Sequence, residues 1–189
     1  MKVSVVIPVY NRTRLLTQAV RSVSEQTYDN VETIIIDDGS EKQLNNNIDL
    51  GEYKDTIIQT HPQNKGANSA RNTGINFANG NLVLFLDSDD QIKPEAVENI
   101  VQRIETEQNN CLGVSLSREI RRGNGSVEQE INKGRIYKKN LINKNNYVSG
   151  IGGKCIRTSG GRANVDAGGY VSHFVRRMSY APQSGHEWY

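Results

Sequence analysis

The chain has 189 residues and a formal net charge of +2, with 35% hydrophobic and 23% charged residues. This length suits about one domain that buries a core without disulfide bonds. The small net charge argues against nucleic-acid binding over the whole surface, two cysteines make neither a disulfide framework nor a zinc site, and no run approaches the roughly 20 apolar residues that span a bilayer. We expect a cytoplasmic protein, associated with the inner face of a membrane at most peripherally.

Five apolar runs, taken in chain order, predict strands at residues 3–9, 31–36, 56–59, 82–86 and 112–116. The first two runs are continuous and rich in β-branched residues, as in strands that are buried on both faces of a parallel sheet. Pro8 cannot donate to a strand ladder, so the first strand is expected to end there.

Apolar residues at helical spacing separate these runs. A helix is predicted after Asn11 or Thr13, either of which can cap it. A second helix is predicted over residues 67–78, and a third begins near Pro94, which suits the first position of a helix. Regular alternation of strands and helices indicates βαβ units, and therefore an α/β fold with a doubly wound, mostly parallel sheet.

The remaining sequence has weaker patterning. Residues 118–146 carry eight Lys or Arg against three Glu, and we interpret them as a loop with one short helix. Residues 150–189 hold eight of the 17 glycines and show no clear period. The chain therefore divides into a well-patterned part, residues 1–117, and a second region, residues 118–189, that is expected to be incomplete or partly disordered.

Carboxylates follow two of the predicted strands. Asp37 and Asp38 follow the second, and Asp87, Asp89 and Asp90 follow the fourth. The carboxyl ends of parallel strands meet at one edge of a sheet, where ligands bind. Acids placed together repel, and a divalent cation with oxygen ligands, Mg²⁺ or Mn²⁺ with a phosphate group, is the natural counterion. The alternative is that the two segments are only a turn and a helix-capping loop.

The segment of residues 64–74 opens the second predicted helix, whose N-terminus offers free N–H groups. Lys65 and Arg71 add positive charge that could meet a diphosphate. A surface ion pair is the alternative role for Arg71. The three histidines do not stand at metal-ligand spacing, and His61, beside Pro62, is interpreted as an ordinary loop residue.

Five segments, in order, resemble the glycosyltransferases of family 2, which have the Rossmann-like GT-A fold of nucleotide-diphospho-sugar transferases. They span roughly residues 1–110 and are Val5-Val6-Ile7-Pro8-Val9-Tyr10-Asn11, Ser22-Val23-Ser24-Glu25-Gln26-Thr27-Tyr28, Ile36-Asp37-Asp38-Gly39-Ser40, Asn64-Lys65-Gly66 with Ala70-Arg71-Asn72-Thr73-Gly74, and Phe85-Leu86-Asp87-Ser88-Asp89-Asp90.

The resemblance implies a nucleotide pocket and a metal site. Asp38 would hydrogen-bond the base of a UDP-sugar, and Asp87-Ser88-Asp89 would be the family's Asp-x-Asp motif. With Lys65 added for its charge, the expected nucleotide contacts are Pro8, Val9, Tyr10, Asn11, Asp38, Lys65, Arg71, Asp87 and Ser88. The expected ligands of Mn²⁺ or Mg²⁺ are Asp89 first and Asp90 second, together with Asp87 of the motif.

Family 2 enzymes are expected to invert the anomeric centre by direct displacement, which needs a carboxylate base for the acceptor hydroxyl. That base follows a Gly-Gly turn that residues 151–153 resemble, but the family's apolar strand and acidic pair do not follow here. Glu187 is the candidate base that remains. The alternative is that Glu187 is a mobile terminal residue with no catalytic role.

The sequence therefore predicts a metal-dependent inverting transferase that binds a nucleotide-diphospho-sugar and a carbohydrate or lipid-linked acceptor, and no nucleic acid. Residues 1–117 would form the donor-binding core, and residues 118–189 a truncated or altered acceptor side. A catalytically incomplete, sugar-nucleotide-binding relative is the alternative. A phospho-receiver domain is disfavoured, because its acidic pair would follow the first strand, which here ends in Pro8-Val9-Tyr10-Asn11.

Overall fold

The computed structural model describes residues 1–42, 44, 55–106, 111–121, 126–130, 135–137, 154–157 and 186–188. The helices in these ranges are α1 (Thr13–Ser24), α2 (Ala67–Phe77) and α3 (Ala96–Thr106). The strands are β1 (Val3–Val9), β2 (Val31–Asp37), β3 (Thr56–Thr60), β4 (Leu82–Phe85), β5 (Gln91–Ile92), β6 (Cys111–Ser115), β7 (Arg118–Arg121), β8 (Val127–Glu130), β9 (Arg135–Tyr137), β10 (Lys154–Arg157) and β11 (His186–Trp188).

The central sheet has seven strands in the order β3-β2-β1-β4-β10-β6-β9. Strands β3, β2, β1 and β4 run parallel, whereas β10 is antiparallel to both of its neighbours. The predicted doubly wound, mostly parallel α/β sheet is confirmed. The order steps outward in both directions from β1, so the loops after β1, β2 and β4 meet at one edge of the sheet, where ligands bind in such folds.

Helices cover both faces of this sheet. On one face, Leu16 of α1 and Ile100 of α3 lie in one apolar cluster with Ile7 of β1 and Leu84 of β4. On the other face, α2 packs on Val6 and Phe85. These side chains are buried because β-branched and aromatic residues on a two-sided strand have no exposed face.

The first strand covers Val3–Val9, the range of the predicted apolar run, and so ends one residue after Pro8. Pro8 is paired with Ile36 of β2. The neighbouring β4 ends at Phe85, opposite Val6, and Val6 accepts from the N–H of Leu86 on that side. Because backbone groups alternate along a strand, the nitrogen of Pro8 faces β4 and cannot donate the next bond of that ladder. The pairing of β1 with β4 therefore ends here, whereas its pairing with β2 continues to Val9.

The predicted cap of α1 is wrong. The residue at the cap position is Arg12, and no side chain caps the helix. Asn11 instead adopts a left-handed conformation with φ of 53°, and its side chain accepts the N–H of Glu41 at 3.0 Å. Asparagine tolerates this conformation, and it serves here to join two loops of the sheet edge.

A glutamine from the end of α1 secures the start of α3. The amide nitrogen of Gln26 donates to the carbonyls of Ser22 at 2.9 Å and Lys93 at 2.8 Å. Its amide oxygen accepts the N–H of Val97, in the first turn of α3, at 2.9 Å. A free N–H at a helix start needs such a partner, so Gln26 holds the segment that follows β4 against the core.

The loop interpretation of residues 118–146 is wrong where the structure describes them. Strands β7 and β8 form an antiparallel pair, and with β5 and β11 they make a second sheet in the order β5-β11-β7-β8. Strand β10 also occupies a stretch in which no apolar strand was expected. The division of the chain at residue 117 stays a prediction. Strand β10 belongs to the region after residue 117, but it lies in the central sheet between β4 and β6.

None of the helices in the described part of the chain has the length and apolar character that crossing a bilayer requires.

Candidate functional site

The loops after β1 and β2 are tied together at the carboxyl edge of the sheet. Asp37 is fully buried, and its Oδ1 accepts the backbone N–H of Ser40 at 3.0 Å and the Ser40 hydroxyl at 2.6 Å. The Ser40 hydroxyl in turn accepts the N–H of Asn11 at 2.9 Å. Asp37 therefore holds the loops after β1 and β2 together. Pro8 and Val9 are buried at the end of β1, whereas Tyr10 is 40% exposed.

Gly39 allows the β2 loop to lie against the segment that precedes α2. Its φ is +76°, and a Cβ at this position would lie 2.5 Å from the carbonyl carbon of Gln63. Only glycine fits such a conformation and such a close approach. The backbone N–H of Lys65 consequently reaches Oδ1 of Asp38 at 2.9 Å, while the Lys65 side chain stays exposed.

Asp38 lies in a buried hydrogen-bonded chain with His61, which the sequence predicts to be an ordinary loop residue. Nδ1 of His61 is 2.7 Å from Oδ1 of Asp38, and Nε2 of His61 is 2.9 Å from the hydroxyl of Thr73 on α2. Both Asp38 and His61 are buried. The position of His61 could have indicated its role, because it directly follows β3 and so lies at the same edge of the sheet as Asp38.

Arg71 joins α2 to the Asp-x-Asp segment. Its Nη2 donates to Oδ1 of Asp87 at 2.5 Å, and its Nη1 donates to Asn68 at 3.3 Å. The arginine is only 6% exposed, so the surface ion pair considered as an alternative is wrong. Nε of Arg71 and Oδ1 of Asn72 are buried without a partner among the described residues.

The rest of the segment after β4 turns back on itself. The N–H of Asp90 donates to the carbonyl of Asp87 at 3.0 Å, and Ser88 and Asp90 are buried. Asp89 points toward the loop after β1, where Nη1 of Arg12 donates to its Oδ2 at 2.7 Å. The structure thus brings Asp87 and Asp89 to the edge occupied by Asp38, each with an arginine on one carboxylate oxygen.

The chemistry of these two carboxylates fits a divalent cation. Asp87 and Asp89 each use one oxygen for an arginine, and the second oxygen of each has no partner within the described ranges. Free carboxylate oxygens are the donors that Mg²⁺ and Mn²⁺ prefer. Among the described residues there is no cluster of three or more His, Cys, Asp or Glu arranged to hold a metal.

Strand β11 places the backbone of Glu187 next to this segment. Glu187 is in register with Gln91 of β5 on one side and with Glu119 of β7 on the other. Gln91 directly follows Asp90, so the strand that carries the candidate base borders the strand that leaves the Asp-x-Asp segment. The predicted Gly-Gly turn at residues 151–153 lies outside the described residues.

Comparisons with known proteins agree with this architecture. The family model described as Glycosyl transferase family 2 matches residues 4–162. Glycosyltransferase GlyA of Streptococcus pneumoniae is 36% identical over 104 residues, which cover 54% of this chain and 15% of that protein. The chain also matches glycosyltransferase GlyG of the same organism and a glycosyltransferase of Rickettsia bellii. It covers only 13% to 35% of the length of these three relatives.

Solved structures of S. aureus TarS share the fold. Residues 1–349 of TarS match with a TM-score of 0.63 at 24% identity, covering 83% of this chain and 47% of that one. The same TarS fragment in complex with UDP-GlcNAc matches with a TM-score of 0.52 at 29% identity, covering 56% of this chain and 32% of that one.

Proposed function

Because the chain belongs to glycosyltransferase family 2, we propose that it transfers a sugar from a UDP-sugar to an acceptor hydroxyl, with divalent metal and inversion at the anomeric carbon. One observation carries the proposal. Helix α2 connects to Asp38 through Thr73 and His61, and to Asp87 through Arg71. Helix α2 thus holds two carboxylates at one sheet edge: Asp38, which would bind the base, and Asp87, which would lie near the phosphates.

The base of the donor would bind between Tyr10 and Asp38. The exposed Tyr10 ring offers an aromatic face on which a base can stack, and Asp38 is an acceptor for a base N–H. Pro8, Val9 and Asn11 would form the floor and rim of this pocket. TarS, whose structure with UDP-GlcNAc is 29% identical over the matched part, supports uridine as the nucleoside.

Asp89, Asp90 and Asp87 would hold Mn²⁺ or Mg²⁺ beside the diphosphate, and Ser88 would lie near the ribose. Such an ion supplies positive charge that stabilises the departing nucleoside diphosphate. Arg71 and Arg12 orient the carboxylates of Asp87 and Asp89, each through one oxygen, and leave the second oxygen free. Lys65, exposed at the start of α2, would add charge near the phosphates.

Glu187 would accept the proton of the acceptor hydroxyl. The acceptor oxygen then bonds to the anomeric carbon as the bond from that carbon to the diphosphate oxygen breaks, and the configuration inverts. Residues 118–189, which would include the acceptor side, would take a carbohydrate or a lipid-linked acceptor. The position of β11 beside β5 supports this assignment, because it brings the Glu187 backbone next to the donor site.

The test combines binding with turnover. UDP with Mn²⁺ should raise the melting temperature of the wild type and of Asp29→Asn, a control at an exposed carboxylate before β2, but much less that of Asp89→Asn. A labelled UDP-sugar should be transferred or hydrolysed by the wild type. No melting shift at millimolar UDP and Mn²⁺, with Asp89→Asn like the wild type, would contradict the donor site. Binding without turnover would favour the catalytically incomplete alternative.

A further inference from the structure

Asp38 has one carboxylate oxygen fully engaged by the protein. Its Oδ1 accepts from His61 Nδ1 at 2.7 Å and from the Lys65 N–H at 2.9 Å, while Oδ2 has no partner in the part of the chain that the structure describes. A carboxylate has no donor of its own, so the His61 nitrogen that faces it must carry the proton. Two donors on one oxygen restrain rotation of the carboxylate and leave Oδ2 as the oxygen that can accept from a ligand.

The imidazole is itself fixed on its far side. Nε2 of His61 lies 2.9 Å from the Thr73 hydroxyl of α2, and the His61 backbone N–H donates to the Asp37 carbonyl at 2.8 Å. The ring is 7% exposed, so it has little room to rotate. A histidine held at both ring nitrogens has one orientation, and it imposes that orientation on Asp38.

We propose that His61 is a positioning residue that makes the donor site select uracil over cytosine, an inference that rests on the proposed function. Uracil presents an N–H donor at N3, whereas cytosine presents an acceptor there and a donor on the adjacent exocyclic amine. A carboxylate fixed in one orientation accepts from one place only. A carboxylate free to rotate can accept from either base.

The experiment measures the affinities for UDP and for CDP by titration calorimetry in the presence of Mn²⁺. His61→Leu should weaken UDP binding about tenfold, the usual worth of a hydrogen bond to a charged group, and change CDP binding little. His61→Asn should recover most of the preference for UDP, because its side-chain nitrogen is as many bonds from Cα as Nδ1. Thr73→Val, which removes the far contact, should lower the preference by a smaller factor.

Inorganic pyrophosphate with Mn²⁺ serves as a probe of the phosphate end, and its affinity should be the same in all four proteins. The inference is overturned if His61→Leu keeps the wild-type ratio of UDP to CDP affinity. It is also overturned if UDP, CDP and pyrophosphate weaken by the same factor, since this would be the effect of a general loss of structure. If His61→Leu does not fold, Thr73→Val decides by the same ratio: a wild-type ratio in this variant overturns the inference.

The proposed function fails in a different way. In that case the wild type itself binds neither UDP nor CDP, and the inference about His61 falls with it. A wild type that binds both nucleotides equally leaves the donor site in place and overturns the role of His61 alone.

Discussion

Nη1 of Arg12 lies 2.7 Å from Oδ2 of Asp89, so the carboxylate proposed as the first metal ligand is already paired with a cation from the loop after β1. Arg71 forms the corresponding pair with Asp87. The mutual repulsion of the acids is therefore offset by two guanidinium groups of the protein. A metal ion that binds between these carboxylates would meet this positive charge, which favours binding together with an anionic diphosphate over binding alone.

Removing the charge of Arg12 should strengthen metal binding to the protein without nucleotide. We expect Arg12→Gln to bind Mn²⁺ about two- to fivefold more tightly, the range that partly exposed ion pairs support. Electron paramagnetic resonance of free Mn²⁺ measures this directly. Arg21→Gln, on the exposed end of α1, is the matched control and should leave Mn²⁺ affinity unchanged. Equal affinities in Arg12→Gln and the wild type would show that the Arg12 pair does not oppose the metal.

Replacing the proposed base should separate chemistry from binding. Glu187→Gln is expected to lower kcat by about 10²- to 10⁴-fold, the usual contribution of a general base, with UDP affinity unchanged. Steady-state turnover of a labelled UDP-sugar and calorimetric titration with UDP measure the two quantities. Glu128→Gln, on exposed β8 of the same sheet, is the control and should keep full activity. Wild-type turnover in Glu187→Gln would show that Glu187 is not the catalytic base.

The central elements could be predicted from the sequence because their signals are local. A strand buried on both faces, such as Val3–Val9, needs a continuous apolar run, and the strand ends that carry Asp38 and Asp87 then follow from parallel topology. The family motifs added the order of the segments. These are features that a stretch of a few residues encodes by itself.

The remaining features depend on contacts between distant residues. Strand β10 has only four residues and is defined by pairing with β4 and β6 on its two sides. His61 gains its place from Asp38, 23 residues away, and Gln26 gains its place from Val97, 71 residues away. The hydrophobic periodicity of the sequence cannot predict such partners, because each contact forms only in the assembled fold.

The side chain of Gln26 should contribute measurably to stability. Gln26→Ala removes the partner of the Val97 N–H and one of the two donors to the Lys93 carbonyl, which also accepts the Ala96 N–H. We expect a loss of about 1–2 kcal/mol in the free energy of unfolding. Urea denaturation followed by circular dichroism measures it. Gln18→Ala, on the exposed side of α1, is the control and should change the free energy by less than about 0.5 kcal/mol. An equal effect of the two substitutions would contradict the anchoring role of Gln26.

A buried glutamate at the opposite edge of the sheet should make stability depend on pH. Burial raises the pKa of Glu32, but hydrogen bonds from Lys2, Ser4 and the Asn79 N–H outweigh it, and the net pKa lies below its usual value. The stabilisation is therefore present above the unfolded pKa, about 4.3, and is lost as pH falls through the folded pKa. Glu32→Gln should cost about 1–3 kcal/mol near neutral pH, and urea denaturation at neutral and at acid pH should show the difference shrinking as pH falls below the unfolded pKa. The exposed Glu25→Gln should cost less than about 0.5 kcal/mol at either pH, and a Glu32→Gln deficit that stays constant with pH would rule out the ionised carboxylate as its source.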